Sequence, residues 1–191
     1  MKKGRVEAFS DGVIAIIITI MVLELKVPEG DNLQVLSPLI PVFVSYILSF
    51  IYLGIYWNNH HHLFQAVNHV EGPVLLANLH LLFWLSLIPF TTAWMGENHF
   101  SMWPVALYGL VLLMAAIAYF ILTNVLIKYH DRDSALAAAI GNGAKEKLSV
   151  GIYAFAIVVS FINSWAAFGL YLILALVWII PDRRIEKRLN T

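Results

Sequence analysis

Arg5, Glu7 and Asp11 open the first apolar run of the chain, and they are the first residues whose types could do chemistry. A charge beside a long apolar run must be paired, protonated or held at headgroup level. Arg5 and Asp11 stand six positions apart, about 240° around a helix, so they cannot pair along one face. Either Arg5 snorkels to the interface with Asp11 beside it, or each finds a partner on another helix, or Asp11 carries a proton. Asn58-Asn59-His60-His61-His62 suggests a metal site at first sight. Adjacent histidines on a helix point in different directions, so at most two could share one ion, and the run reads as a polar helix end. His80 lies inside an apolar run, where a neutral, hydrogen-bonded imidazole is the simpler reading and a proton relay the sharper one. Glu24, Glu29 and Asp31 form either a cation-concentrating vestibule or a solvated loop whose field Lys26 blunts.

The rest of the composition removes most other chemistries. The chain has 191 residues, 60% of them hydrophobic and only 13% charged, with a mean hydropathy of +0.77. A soluble domain carries about 25% charged residues, so this is an integral membrane protein. Twelve basic and twelve acidic residues cancel, so no basic excess points to nucleic acid. Without cysteine there is no disulfide, thiolate metal site or cysteine nucleophile. The sequence holds no glycine-rich phosphate loop, Gly-x-Ser-x-Gly elbow, His-Glu-x-x-His pair or Thr-Val-Gly-Tyr-Gly carbonyl filter. No carboxylate pair lies inside the membrane, which argues against an enzyme.

These residues must be positioned by membrane helices, each needing about 20 apolar residues. Uncharged or nearly uncharged runs place spans at 6–25, 35–57, 73–95 and 102–127. Residues 148–181 are uncharged for 34 positions. As one helix they would reach about 51 Å, too long for a core of about 30 Å. Asn163-Ser164 is a turn-type pair, which divides the stretch into spans 148–163 and 165–181. Residues 128–147 read as a partly helical cytoplasmic connector, and 1–191 as one domain. Pro89 is expected to kink the third span.

Charge bias supports six spans with both termini in the cytoplasm. That arrangement puts every lysine and arginine except Lys26 on the inner side. Five spans would strand Arg183, Arg184, Lys187 and Arg188 outside. Met1-Lys2-Lys3 before an apolar run also opens a secretory signal, but Asp11 interrupts the run and no small-x-small cleavage site precedes Glu24.

Ile16, Ile20 and Leu23 fall at i, i+4 and i+7, one stripe of the first helix, with Thr19 about 60° off its centre. Periodicity alone makes such a stripe packing or lipid-facing surface. Arg5-x-x-x-Phe9-Ser10-Asp11, however, resembles the signature of the transmembrane protein 175 family, endolysosomal-type potassium channels and their bacterial relatives. Trp57-x-x-His60 with Leu63-Phe64, and Asn78 to Pro89-Phe90, are similar to that family's next motifs.

The resemblance implies an all-α membrane protein of six transmembrane helices per subunit, with helix 1 lining a central pore in a homotetramer. It implies a hydrophobic constriction at Ile16, continued by Ile20 and Leu23, and a threonine layer at Thr19 that contributes to potassium preference. It also implies that Arg5, Phe9, Ser10 and Asp11 tie the pore helix to its neighbours, with Trp57 and His60 as partners. The expected function is a potassium-selective channel in the plasma membrane, with no resident metal or cofactor and with permeant potassium ions instead. The competing reading is a proton-coupled carrier or proton path using Asp11 and His80. Carriers tend to show inverted repeats and broken helices, and the two halves here show no evident symmetry.

Overall fold

The computed structural model describes residues 2–67, 69–129 and 144–179. Helix α1 runs Lys3–Leu23, α2 Ile40–Gln65, α3 Gly72–Ser86, α4 Ile88–Glu97, α5 Met102–Tyr129, α6 Ala144–Ser160 and α7 Ser164–Ile179. The protein is an all-α membrane protein, with no strand among the described residues. Most of the connector expected at 128–147, the C-terminal basic residues and the last two positions of the span expected at 165–181 lie outside the described residues.

Local chemistry sets the helix ends. Helix α2 starts at Ile40 rather than at 35, because residues Leu33–Leu39 form a 3-10 turn containing Pro38. The Asn32 side chain accepts from the Gln34 and Val35 amides, which caps that turn. At its other end α2 runs through the histidine run to Gln65, past the expected boundary, since polar side chains do not end a helix when no proline or glycine intervenes. The third span divides at Leu87 into α3 and α4. Pro89 lacks the N–H that would bond the Leu85 carbonyl, which interrupts the helical hydrogen bonding at Leu87. His99 and Phe100, with φ of 49° and 58°, turn the chain from α4 into α5. The Phe100 ring rests on Trp165 and Phe168 of α7 at 4.7 and 4.6 Å between centroids, which holds this uncommon backbone in place. Asn163 accepts from the Ala166 amide at 3.1 Å and so opens α7.

Four stretches are long and apolar enough to cross a bilayer: residues 3–23, 33–65, 72–97 and 102–129. Helices α6 and α7, of 17 and 16 residues, form an antiparallel pair. Helix α5 is central and packs on α3, α4, α6 and α7, whereas α1 lies to one side against α2, α3 and α4. At Gly109 on α5 an added Cβ would overlap the Tyr171 hydroxyl, and at Gly96 it would lie 2.7 Å from the Val42 backbone. These two glycines set how closely α5 meets α7 and α4 meets α2.

Candidate functional site

Helix α1 has one covered face. Val6, Ser10, Ile14, Ile17 and Met21 are buried, a spacing of three and four residues that faces α2, α3 and α4. The opposite face is bare in the protomer. Ile16 is 61% exposed, Ile20 41% and Leu23 75%. Thr19 is exposed too, and its hydroxyl donates to the Ala15 carbonyl at 2.8 Å. The stripe is therefore largely uncovered by its own subunit, which leaves lipid, another subunit or an ion path as its neighbour.

Polar contacts tie the covered face down at both ends. The buried His60 ring, on α2, donates from Nε2 to Asn78 Oδ1 on α3 at 2.8 Å. Asn78 donates from Nδ2 to Ser10 Oγ on α1 at 2.9 Å. All three residues are at most 1% exposed, and the Asn78 amide, an acceptor at its oxygen and a donor at its nitrogen, satisfies the ring N–H and the hydroxyl at once. His60 also stacks on Phe64, with centroids 4.5 Å apart. One turn away, Trp57 Nε1 donates to Asp11 Oδ1 at 3.0 Å on the protomer surface. Lys3 donates to the Phe64 and Gln65 carbonyls at 3.1 and 3.2 Å, filling orphan acceptors at the negative end of α2. Beyond the other end of α1, the Lys26 ammonium meets the Glu97 carboxylate at 2.7 Å. That hydrogen bond, and then the carboxylate's charge, raises the lysine pKa above its ordinary value.

The expected signature residues thus divide. Ser10 and His60 meet through Asn78, Asp11 meets Trp57, and Phe9 is 54% exposed. Arg5 is exposed on the same side as Ile16, and its side chain has no hydrogen bond or ion pair among the described residues. Asn78 and Lys3 carry roles that sequence reasoning did not assign. Asn78 is the one amide between Gly72 and Ser86, a buried-polar signal that was open to reading; Lys3 offered none, since any terminal lysine looks alike.

Other candidates fall away from this cluster. His80 Nε2 accepts the Trp84 indole N–H at 3.0 Å, and because indole only donates, that nitrogen carries no proton. His61 bonds Gln65 at 2.8 Å and stacks on Trp57. No group of three His, Cys, Asp or Glu side chains could hold a metal among the described residues.

The fold and these contacts define a polytopic, all-helical membrane protein whose first helix is anchored along one face and largely uncovered on another. Residues 5–89 match the family model described as endosomal/lysosomal potassium channel TMEM175. The chain belongs to that family, the transmembrane protein 175 ion channels. It is 59% identical over its whole length to a protein from Chryseobacterium sp. (strain P1-3) named a potassium channel, covering 99% of it. A chicken protein named endosomal/lysosomal proton channel TMEM175 is 30% identical over 70% of this chain, which spans 30% of that protein. The crystal structure of a lysosomal potassium-selective channel TMEM175 homolog from Chamaesiphon minutus superposes with a TM-score of 0.78 at 29% identity, covering 94% of this chain and 97% of that one.

Proposed function

We propose that the chain is one subunit of a homotetrameric, potassium-selective channel whose pore is lined by α1. The observation that carries this reading is the bare stripe. Ile16, Ile20 and Leu23 lie outward on a helix whose other face is fixed by buried hydrogen bonds. A single subunit of this size cannot enclose an ion path along that stripe, whereas copies related by rotation about it can. Ile16 then forms a hydrophobic neck with no ligand for an ion, which limits current by dewetting. Thr19 supplies a hydroxyl that replaces some hydration water and so contributes to preference for potassium. Its bond to Ala15 leaves its oxygen lone pairs free to face an ion.

In this arrangement the Asn78 bridge and the Asp11–Trp57 bond hold the pore helix against its bundle. Arg5, whose side chain has no hydrogen bond or ion pair among the described residues, faces the direction from which a neighbouring copy would come. The excess of lysine and arginine on one side of the spans supports a plasma-membrane protein with both termini in the cytoplasm. The exposed acids Glu24, Glu29 and Asp31 would then lie at the outer mouth and enrich cations there.

Proton conduction is the second reading, favoured by the name of the chicken relative. The hydrogen bond that His80 accepts from Trp84 weighs against a His80 relay. Purified protein in liposomes with a potassium gradient tests the first reading directly. Flux of many ions per protein, with a reversal potential that follows potassium and not pH, is expected. A reversal potential that tracks the pH gradient would overturn it in favour of the second.

A further inference from the structure

On the side of the bundle away from α1, a cavity of ≈ 30 Å³ lies between α2, α5, α6 and α7. Its walls are aromatic. Tyr56, Tyr119, Tyr153 and Trp178 line it, with Asn59 and, as the one carboxylate among the described lining residues, Glu146. Glu146 stands in the first turn of α6, Trp178 in the last turn of α7 and Asn59 near the end of α2. The cavity therefore sits at one end of the bundle, at the depth of helix termini.

Three features define what it would accept. The Glu146 carboxylate is half-buried, and it makes no hydrogen bond or ion pair among the described residues, so its oxygens are open to a donor in an aromatic setting. The indole of Trp178 is held in plane by its N–H bond to Ser149 Oγ at 2.8 Å. The same indole takes the Lys145 ammonium over its ring at 4.4 Å from the centroid, so it already acts as a cation acceptor. Ring faces with one carboxylate suit a weakly hydrated ammonium better than a metal ion, which needs a shell of oxygens. The volume holds about two water-sized groups, enough for a –NH₃⁺ or small methylammonium head whose stem points outward, and too little for a bulky organic cation.

We propose that this cavity binds a small ammonium group, presented either by a free amine or by the headgroup of an aminophospholipid at the membrane surface. Occupancy pairs Glu146 and links the α6–α7 hairpin to α2 and α5. The site is independent of the pore, since no α1 residue lines it.

The test uses the full-length protein in maltoside micelles at fixed ionic strength, with thermal unfolding and hydrogen exchange over residues 144–153 and 171–179 as readouts. Methylammonium chloride is titrated against equal concentrations of potassium chloride, and nanodiscs of phosphatidylethanolamine are compared with nanodiscs of phosphatidylglycerol. Saturable protection by methylammonium identifies a free-amine site, and protection by phosphatidylethanolamine alone identifies the lipid source; either supports the proposal. Glu146→Gln is expected to weaken the response about tenfold or more, roughly 1.4 kcal/mol, Glu146→Asp to keep most of it, and Thr19→Ala on α1 to leave it unchanged. An equal response to potassium chloride, an undiminished response in a folded Glu146→Gln protein, or no protection by either probe would overturn the site.

Discussion

Ile16 and Thr19 lie on the same bare side of α1, yet their chemistry separates two properties of a pore. In the proposed pore a ring of isoleucines would offer no ligand, so Ile16 is expected to govern throughput and the Thr19 hydroxyl to contribute to ion preference. Ile16→Asn is expected to raise current with some loss of selectivity; lowering the neck barrier by about 1.4 kcal/mol would raise it tenfold. Thr19→Ala should bring the potassium-to-sodium permeability ratio closer to one while the protein still assembles. Bi-ionic reversal potentials and single-channel amplitudes check both. An unchanged ratio in Thr19→Ala together with unchanged current in Ile16→Asn would move the pore off α1.

At the scale of helices, Asn78 is the residue on which α1, α2 and α3 converge. Asn78→Leu leaves the His60 ring N–H and the Ser10 hydroxyl buried without that partner, at a cost of about 1–3 kcal/mol for each group left unsatisfied. The expected result is a lower unfolding temperature and loss of conduction, larger than for Lys2→Ala, read by thermal unfolding and liposome flux. Packing of α5 on α7 depends in the same way on Gly109, where a methyl group would overlap the Tyr171 hydroxyl. Gly109→Ala is expected to destabilise by about 1–3 kcal/mol, while Gly4→Ala, with open space around it, should not. At the far end of α1, Lys26 and Glu97 are both exposed, so their pair is expected to contribute little at neutral pH. Because its pKa is raised in the folded state, Lys26 lends that contribution below the ordinary lysine pKa. The contribution is lost as pH rises through the folded value. Lys26→Ala should therefore abolish only an alkaline limb of the stability profile.

For the whole molecule, the question is what covers the outward face of α1. A cysteine at Ile16 is expected to crosslink between copies near a shared axis, giving dimers on denaturing gels under oxidation. The chain has no other cysteine, so every disulfide formed joins two copies, and a protein that stays monomeric on those gels would sink the tetrameric pore. Arg5 has no partner among the described residues of its own subunit, so Arg5→Ala should impair assembly more than Lys2→Ala does. Size-exclusion chromatography with light scattering distinguishes this from equal, small effects, which would mean simple snorkelling.

The sequence by itself determined what depends on neighbours along the chain. Apolar runs of membrane length, the proline that breaks the third span at Leu87 and the Asn163 cap that opens α7 are local consequences of desolvation, a missing N–H and a side-chain acceptor. Helix α2 shows the limit of reading spans from apolar runs alone, since the run ends at Trp57 while the helix, with no proline or glycine after that point, continues to Gln65. The signature Arg5-x-x-x-Phe9-Ser10-Asp11 pointed to the right family, but it could not say which of its members would pair. Only the tertiary structure decided that Asn78 stands between Ser10 and His60, that Arg5 stays outside the network and that Glu146 faces a ring of tyrosines. Those outcomes depend on the rotation and depth at which helices meet. A periodic apolar helix fits its neighbours at several such settings, and buried hydrogen bonds and glycine contacts between distant residues select one.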